Sequence, residues 1–227
     1  MRVLAIDTAL EACSAALIDT SVAEPLAVQS LDLDRGHAEA LIPLIERVLK
    51  SAGAGFDSVD RIVTTIGPGS FTGLRVGISA ARGLALVSGK PAVGVTTLAA
   101  LIAPYITESD AVPVVAALDA RHGNLYLQMV GAGGRTLVAP RASSLRDAIR
   151  AVALGPVRIA GSGAAMLAAH WPANVAPPLV VDPRPAPDII WVARLGAAAD
   201  PAHAKPRPLY LRPVDAKPQD ASRLPRR

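Results

Sequence analysis

The chain has 227 residues, of which 51% are hydrophobic, 3% are aromatic and one is a cysteine, so it is long enough for one large domain or two small ones. The single Cys13 excludes an internal disulfide framework, and the few aromatic residues argue against a base-stacking surface for single-stranded nucleic acid. The net charge of +4 is concentrated in residues 201–227, which hold seven basic and two acidic side chains.

The sequence contains neither a signal peptide nor an apolar stretch long enough to span a bilayer, which predicts a cytoplasmic protein without membrane contact. The basic tail either contacts RNA phosphates weakly or is a solvated, disordered end, and its prolines favour the second interpretation. We therefore expect residues 217–227 to be mobile. The preceding segment 208–212 contains three apolar side chains and is expected to dock on the body of the protein.

The first half of the chain alternates between strand and helix patterns. Three short segments predict an antiparallel meander, and a helix, a strand, a longer helix, a strand and a short helix follow. The predicted strands lie at 3–7, 12–18, 26–31 and 61–66 and near Val93, and the predicted helices lie at 37–52 and 72–88 and begin again at Thr97. The order is therefore β-β-β-α-β-α-β-α.

A glycine-rich run, Gly67-Pro68-Gly69-Ser70-Phe71-Thr72-Gly73, joins the fourth strand to the long helix. Glycine allows positive φ and close backbone approach, and we expect Thr72 to cap the helix. Such a loop before a helix N-terminus can bind an anion through backbone N–H groups, but it also occurs as a purely structural turn. It is not a P-loop, because Leu74 and Arg75 follow Gly73 where the Walker pattern needs Lys and Ser or Thr.

The second half repeats the first in a weaker form. An apolar strand ending in Asp119 resembles the one ending in Asp7, and each is followed by another strand, the second at 124–130. The segment 157–163 resembles 62–69, since each is a strand that leads into a Gly-x-Gly turn. These matches predict a duplicated fold whose second copy is degraded and shorter.

Two such halves are the plan of the actin, sugar-kinase and heat-shock-chaperone ATPases, in which the Asp-ended hairpins and glycine turns face each other across a nucleotide cleft. We therefore predict an α/β fold with a first actin-like half at 1–106 and a second, reduced half at 107–227. We also expect the C-terminal segment to return to the first half.

Five motifs lie in order along nearly the whole chain: Ala5-Ile6-Asp7-Thr8, Arg35-Gly36-His37-Ala38-Glu39, the run from Gly67 to Gly77, Asp119-Ala120-Arg121, and Pro208-Leu209-Tyr210-Leu211-Arg212. Together they resemble the bacterial TsaB family, the threonylcarbamoyladenosine biosynthesis proteins of tRNA modification. The Gly-Pro-Gly-Ser-Phe-Thr-Gly motif is specific to this family and a few relatives. The sequence departs from the family pattern at His122, where a basic residue is usual, and in the proline-rich stretch 177–187.

The resemblance implies an accessory or scaffold subunit without a catalytic site. Members of this family pair with a larger paralogue that holds the catalytic metal and transfers the threonylcarbamoyl group to the adenosine beside the anticodon, in tRNAs that read codons starting with A. A P-loop ATPase subunit joins them, and tRNA is reached through the complex. No cofactor is expected, although ATP or ADP at the heteromeric interface and a homodimer of the isolated chain both stay open.

The residues at the positions of the superfamily's nucleotide cleft also indicate a subunit without a catalytic site. The catalytic paralogue carries a His-x-x-x-His pair of metal ligands, whereas here Leu41 stands four residues after His37, so we predict a polar contact by His37 and no metal site. The candidates for a vestigial nucleotide site are Asp7, Gly67, Gly69, Asp119, Gly161 and Gly163. We expect the two aspartates to be relics that satisfy turn N–H groups.

The helices at 37–52 and 72–88 are the predicted partner surface. The first has a wider apolar stripe than one sheet contact requires, and the second carries small residues that let another helix approach closely. The candidate contact residues are His37, Leu41, Leu44, Ile45, Val48, Gly73, Val76, Gly77, Ala80 and Ala81. On this hypothesis, a bulky residue at Gly77 or Ala80 blocks formation of the heterodimer.

Two other classes of function stay open. An independent ATP-dependent small-molecule kinase or a metallopeptidase of the same superfamily is opposed by the missing metal pair, by the absence of a His-Glu-x-x-His motif, and by halves of only about 100 residues. A direct RNA-binding module that uses the basic tail is opposed by the low aromatic content.

Overall fold

The computed structural model describes residues 1–106 and 111–212. The first half contains β1 (Arg2–Asp7), β2 (Ala12–Asp19), β3 (Ala27–Asp32), α1 (His37–Ser51), β4 (Arg61–Thr65), α2 (Phe71–Ser88), β5 (Ala92–Val95) and α3 (Thr97–Ile106). The second half contains β6 (Val114–Asp119), β7 (Asn124–Val130), β8 (Thr136–Ser144), α4 (Leu145–Val152), β9 (Arg158–Ala160), α5 (Ala164–Ala169), β10 (Val180–Asp182) and α6 (Ile189–Ala198). The predicted mobile tail, residues 217–227, lies outside the described residues.

Each half forms a five-stranded sheet with the same topology. The strand orders are β3-β2-β1-β4-β5 and β8-β7-β6-β9-β10. In both sheets the first three strands form an antiparallel meander, and the remaining two run parallel to the first strand. The register also matches, since Val3 pairs with Arg61 and Val114 with Arg158 at the starts of the equivalent strands. The predicted duplicated α/β architecture is confirmed, while the boundary after residue 106 stays a prediction.

The residue that caps α2 differs from the predicted one. Ser70 is the N-cap, with extended backbone angles and a side-chain oxygen that accepts a hydrogen bond from the Gly73 N–H at 3.3 Å. The expectation for Thr72 is wrong because Thr72 already lies inside the first turn, where its side chain cannot face the free N–H groups. At the other end, Gly89 adopts φ +67°, a left-handed conformation that ends many helices.

Each half contributes one helix that covers the sheet of the other half. The cores of the first sheet lie under α1 and α2 on one face and under α6 on the other, and the cores of the second sheet lie under α4 and α5 on one face and under α3 on the other. The guanidinium of Arg61 on β4 donates to the carbonyl oxygens of Gly196, Ala197 and Ala199 at 2.8–2.9 Å and so caps the end of α6. Neither half buries its sheet without the other.

A C-terminal strap, residues 204–212, ties the halves together further. The Gly94 N–H donates to the Ala204 carbonyl at 2.8 Å, and the Leu209 N–H donates to the Ile66 carbonyl at 2.7 Å. At the far end, Leu211 packs into the core beside α3, and Arg212 Nη1 donates to the Ala120 carbonyl at 3.2 Å. The segment 208–212 therefore docks on the body as expected. Among the helices in the described ranges, none has the length and apolar character needed to cross a membrane.

Candidate functional site

The glycine loop between β4 and α2 packs directly on the turn that follows β1. A Cβ atom at Gly69 would overlap the Ala9 carbonyl oxygen, and one at Gly73 would overlap that of Thr8. The Ser70 N–H donates to the Ala9 carbonyl at 2.7 Å, and the Thr8 hydroxyl donates to the Gly73 carbonyl at 2.7 Å. The chain itself thus fills the space in which a related loop could hold an anion, and this packing favours the structural turn.

Gly67 starts the same loop and faces the strap. It adopts φ +106°, which favours glycine, and a Cβ there would lie 3.0 Å from the Leu209 carbonyl oxygen. Its own carbonyl accepts a hydrogen bond from the Thr97 N–H at the start of α3. The loop is therefore enclosed by β1, α3 and the strap.

Asp7 ends β1 and is fully buried. Its Oδ1 accepts hydrogen bonds from the Ala9 N–H at 2.9 Å and from the Thr65 hydroxyl, whereas Oδ2 has no hydrogen-bond partner in the described part of the chain. Burial raises the pKa of this carboxyl, against the opposing effects of the Thr65 and Ala9 hydrogen bonds and of His37. A fully buried carboxyl with a raised pKa is a poor ligand for a magnesium nucleotide.

The second copy of this arrangement is more open. Asp119 is exposed, and its Oδ1 accepts a hydrogen bond from the Arg121 N–H at 2.7 Å, just as Asp7 does from the residue two positions later. A Cβ at Gly161 would overlap the Ala117 carbonyl oxygen, and one at Gly163 would lie 2.6 Å from Leu125 Cδ2. Both glycine turns therefore serve close packing against the end of the first strand of their sheet.

His37 makes the predicted polar contact. It is the first residue of α1, and its Nε2 lies 2.9 Å from the carbonyl oxygen of Leu10 in the turn after β1. Leu41, which stands where a second metal ligand would be needed, is 1% exposed and belongs to the core. Across residues 1–106 and 111–212, no three His, Cys, Asp or Glu side chains are grouped as metal ligands.

The structure buries most of the predicted partner residues. Seven of the ten are buried in the core of the first half or against the β1 turn: Leu41, Leu44, Ile45, Val48, Gly73, Gly77 and Ala81. The prediction that these seven contact a partner is wrong for the chain folded in this way, because the wide stripe of α1 is used up by β2, β3 and α2. The other three, His37, Val76 and Ala80, are half-buried.

The substitution expected to probe the interface at Gly77 also fails for a structural reason. A Cβ there would lie 2.6 Å from Thr8 Oγ1 and 3.0 Å from Thr64 Oγ1, both on buried residues. A bulky residue at Gly77 would therefore disturb the packing of α2 on β1 and β4. Loss of partner binding by such a variant would report misfolding and not the interface.

A different set of residues lies along the neighbouring sides of α1 and α2, which contact each other. The Arg47 side chain on α1 donates to Gln29 of β3 at 3.0 Å, and Ile42 lies about 140° around the helix from Arg47. Ile42 is 45% exposed. The side of α2 that turns towards α1 carries Val76, Ala80, Gly83 and Val87, spaced four, three and four residues apart. We call these five residues the α1–α2 groove.

The candidate contact residues predicted from the sequence do not include Ile42, Gly83 or Val87. Val87 is 88% exposed and Leu86 beside it is 84% exposed, which is unusual for apolar residues on a long helix. A Cβ on Gly83 would meet nothing within 4 Å, so the helix backbone is open to close approach there. The helical period of α2 could have divided its residues into two faces. Only the position of the sheet in the structure shows which of the two faces is exposed.

Comparison with known proteins gives consistent results. A family model described as TsaD: tRNA N6-adenosine threonylcarbamoyltransferase matches residues 31–170. The tRNA threonylcarbamoyladenosine biosynthesis protein TsaB of Escherichia coli (strain K12) is 39% identical over 127 residues, which cover 56% of this chain and 53% of that protein. TsaB of Haemophilus influenzae is 37% identical over 130 residues, which cover 57% and 54%. The similarity thus spans about half the length of these curated relatives.

Longer matches exist at a similar level of identity. An uncharacterized protein of Mycobacterium tuberculosis (strain H37Rv) is 35% identical over 216 residues, which cover 95% of this chain and 94% of that one. Among solved structures, YeaZ from Pseudomonas aeruginosa superposes with a TM-score of 0.71 at 30% identity and covers 92% of this chain and 99% of its own. An uncharacterized Pseudomonas aeruginosa protein with similarity to peptidase YeaZ superposes with a TM-score of 0.75 at 27% identity, covering 93% and 99%.

Proposed function

Because the chain belongs to the tRNA N6-adenosine threonylcarbamoyltransferase family and, within it, to the TsaB proteins, we propose that it is an accessory subunit for threonylcarbamoylation of tRNA. In this proposal, it binds the catalytic paralogue of its own fold and activates it, in the cytoplasm and together with a P-loop ATPase. The observation that carries the proposal is the pair of long neighbouring helices, α1 and α2, with the exposed apolar residues Ile42 and Val87.

The groove suits a helical partner. Val76 and Ala80 are half-buried, whereas Ile42, Gly83 and Val87 are exposed. Small residues let two helix backbones approach closely, and exposed apolar side chains gain the burial that drives association. A paralogue built on the same fold would present an equivalent helix pair, so the contact would be helix against helix.

The vestigial cleft supports a role without catalysis. The Gly69 and Gly73 turn is filled by the Thr8–Ala9 backbone, and the carboxyl of Asp7 is buried with a raised pKa. Leu10 from the β1 turn and Leu211 from the strap pack into the core beside α3, so apolar side chains stand near both aspartate-ended strands. These features oppose the kinase alternative, and the lone His37 opposes the peptidase alternative.

Reconstitution tests the proposal. The chain, its paralogue and the P-loop ATPase are purified separately and mixed with an unmodified tRNA transcript and threonylcarbamoyl adenylate, and modified adenosine is measured by mass spectrometry. We expect no product from the chain alone and a strong dependence of product on adding the chain to the paralogue. Full activity of the paralogue without the chain, or ATP hydrolysis by the chain alone that Asp7→Asn abolishes, would contradict the proposal.

A further inference from the structure

Two aromatic rings and a guanidinium form an exposed cluster at the start of α2. The rings of Phe71 and Tyr210 have centroids 5.5 Å apart at an interplanar angle of 34°, and the Arg75 guanidinium lies 3.7 Å from the Phe71 centroid. Phe71 is 39% exposed and Tyr210 is 43% exposed, although the chain contains only seven aromatic residues. We call Phe71, Arg75 and Tyr210 the aromatic platform.

The platform is held in place from two directions. Phe71 is the first residue of α2, directly after the Ser70 cap. Tyr210 belongs to the strap, and its neighbours on both sides are anchored: the Leu209 N–H donates to the Ile66 carbonyl and Leu211 packs into the core beside α3. The rings are therefore fixed while they stay exposed, an arrangement suited to stacking against a planar ligand.

Cations surround the platform. Arg82 lies seven residues after Arg75, on the same side of α2, and Arg212 brings the tip of the β6–β7 hairpin close to the strap. At that tip, Arg121 and His122 adopt φ +62° and +53°, a left-handed conformation that non-glycine residues seldom adopt. Within the described ranges, Arg75, Arg82 and Arg121 form no ion pair with a carboxylate, and Asp119 accepts only the backbone N–H of Arg121.

We propose that the aromatic platform binds a single-stranded segment of RNA. One base stacks on the exposed ring of Tyr210, which Phe71 supports, and phosphates contact Arg75 and the basic hairpin tip. Aromatic faces beside uncompensated guanidinium groups are the combination that binds single-stranded nucleic acid without sequence preference. The low aromatic content argues against a large stacking surface, but one stacked base needs only the rings that α2 and the strap bring together.

RNA is favoured over a protein partner because of where the platform lies. Phe71, Arg75 and Arg82 occupy one side of α2, whereas Val76, Ala80 and Val87 occupy the side towards α1. A partner seated in the α1–α2 groove therefore leaves the platform open. The inference rests on the proposed function only for the choice of tRNA as the probe.

Fluorescence anisotropy of a labelled, unmodified tRNA transcript, titrated with the full chain at several salt concentrations, tests this inference. We expect Tyr210→Ala to weaken binding about tenfold without changing the salt dependence, because a stacking contact is lost. Tyr210→Phe keeps the ring and should bind like the unsubstituted chain. Arg75→Gln should lower the slope of log affinity against log salt by about one, whereas Arg75→Lys should keep it.

Two results would overturn the inference. The first is equal tRNA affinity for Tyr210→Ala and Tyr210→Phe. The second is loss of paralogue binding by Tyr210→Ala with unchanged tRNA affinity, which would make the platform a protein contact. Because the titration uses the chain alone, its result does not depend on the paralogue. If Tyr210 contributes to tRNA binding but the chain does not bind the paralogue, the proposed function is contradicted and this inference is retained.

Discussion

The two halves of the molecule share every strand and helix in order but differ in the length of the helices on their outer faces. In the first half α1 and α2 have 15 and 18 residues, whereas their equivalents α4 and α5 have eight and six. The strands and turns that build each sheet are retained in both copies. The duplication has therefore kept the sheets, and only the first copy keeps helices long enough to form a groove for a partner.

The helices between the sheets behave differently from those on the outside. α3 and α6 have ten residues each, and each covers the sheet of the other half. Shortening either of them would expose apolar residues of the other half's sheet, while α4 and α5 cover only the sheet of their own half. Core packing thus constrains the lengths of α3 and α6, whereas the lengths of the helices on the outer faces are freer to diverge between the halves.

The largest expected difference between the halves is in how much stability is lost when a glycine of the Gly-x-Gly turn is replaced by alanine. Gly69→Ala places a Cβ against the Ala9 carbonyl, a backbone atom that cannot move alone, and should lower the free energy of unfolding by about 3 kcal/mol. Gly163→Ala meets the end of the Leu125 side chain and should cost about 1 kcal/mol, because that side chain can rotate. Chemical denaturation of both variants measures the difference. Equal losses would show that the second turn is as tightly packed as the first.

A smaller difference between the halves is expected in how the two strand-ending aspartates, Asp7 and Asp119, affect the pH dependence of stability. Burial raises the pKa of Asp7 above its value of 3.8 in an unfolded chain, so between those two values the folded protein binds more protons than the unfolded one. The contribution of Asp7 to stability is thus present at acidic pH and is lost as pH rises through the folded pKa. Asp7→Asn removes this loss, so its stability relative to the unsubstituted protein should increase with pH.

Urea denaturation at a series of pH values measures this dependence. Asp119→Asn is the matched control, because it removes one negative charge from the equivalent, exposed position of the second half. A stability difference for Asp7→Asn that stays constant or shrinks as pH rises would show that burial does not raise the pKa of Asp7 in the folded protein.

The sequence predicted the architecture well because local signals repeat. Apolar strands that end in Asp, Gly-x-Gly turns and helical periods are each visible within about ten residues, and the bounds of β7 at 124–130 are reproduced by the structure. The cap of α2 was placed two residues too late because Ser70 and Thr72 are both good capping residues, and only backbone geometry distinguishes them.

The partner surface was the weaker part of the prediction. Apolar width on α1 and small residues on α2 were assigned to a partner, but Leu44 and Gly77 are used inside the protein, by the sheet and by the β1 turn. The exchange of α3 and α6 could not be predicted from local patterns, since it depends on contacts between residues far apart in sequence. The meeting of Phe71 with Tyr210 depends on such a contact as well.

The central claim, that the α1–α2 groove binds the paralogue, is tested most directly at Gly83. This residue is exposed in the helix, and a Cβ there meets nothing, so Gly83→Ala should stabilise α2 by up to about 1 kcal/mol and serve as the matched control. Calorimetric titration of the paralogue with Gly83→Trp should show binding weakened by at least about tenfold relative to Gly83→Ala, with both variants folded. Equal affinity of Gly83→Trp and Gly83→Ala would contradict the assignment of the groove.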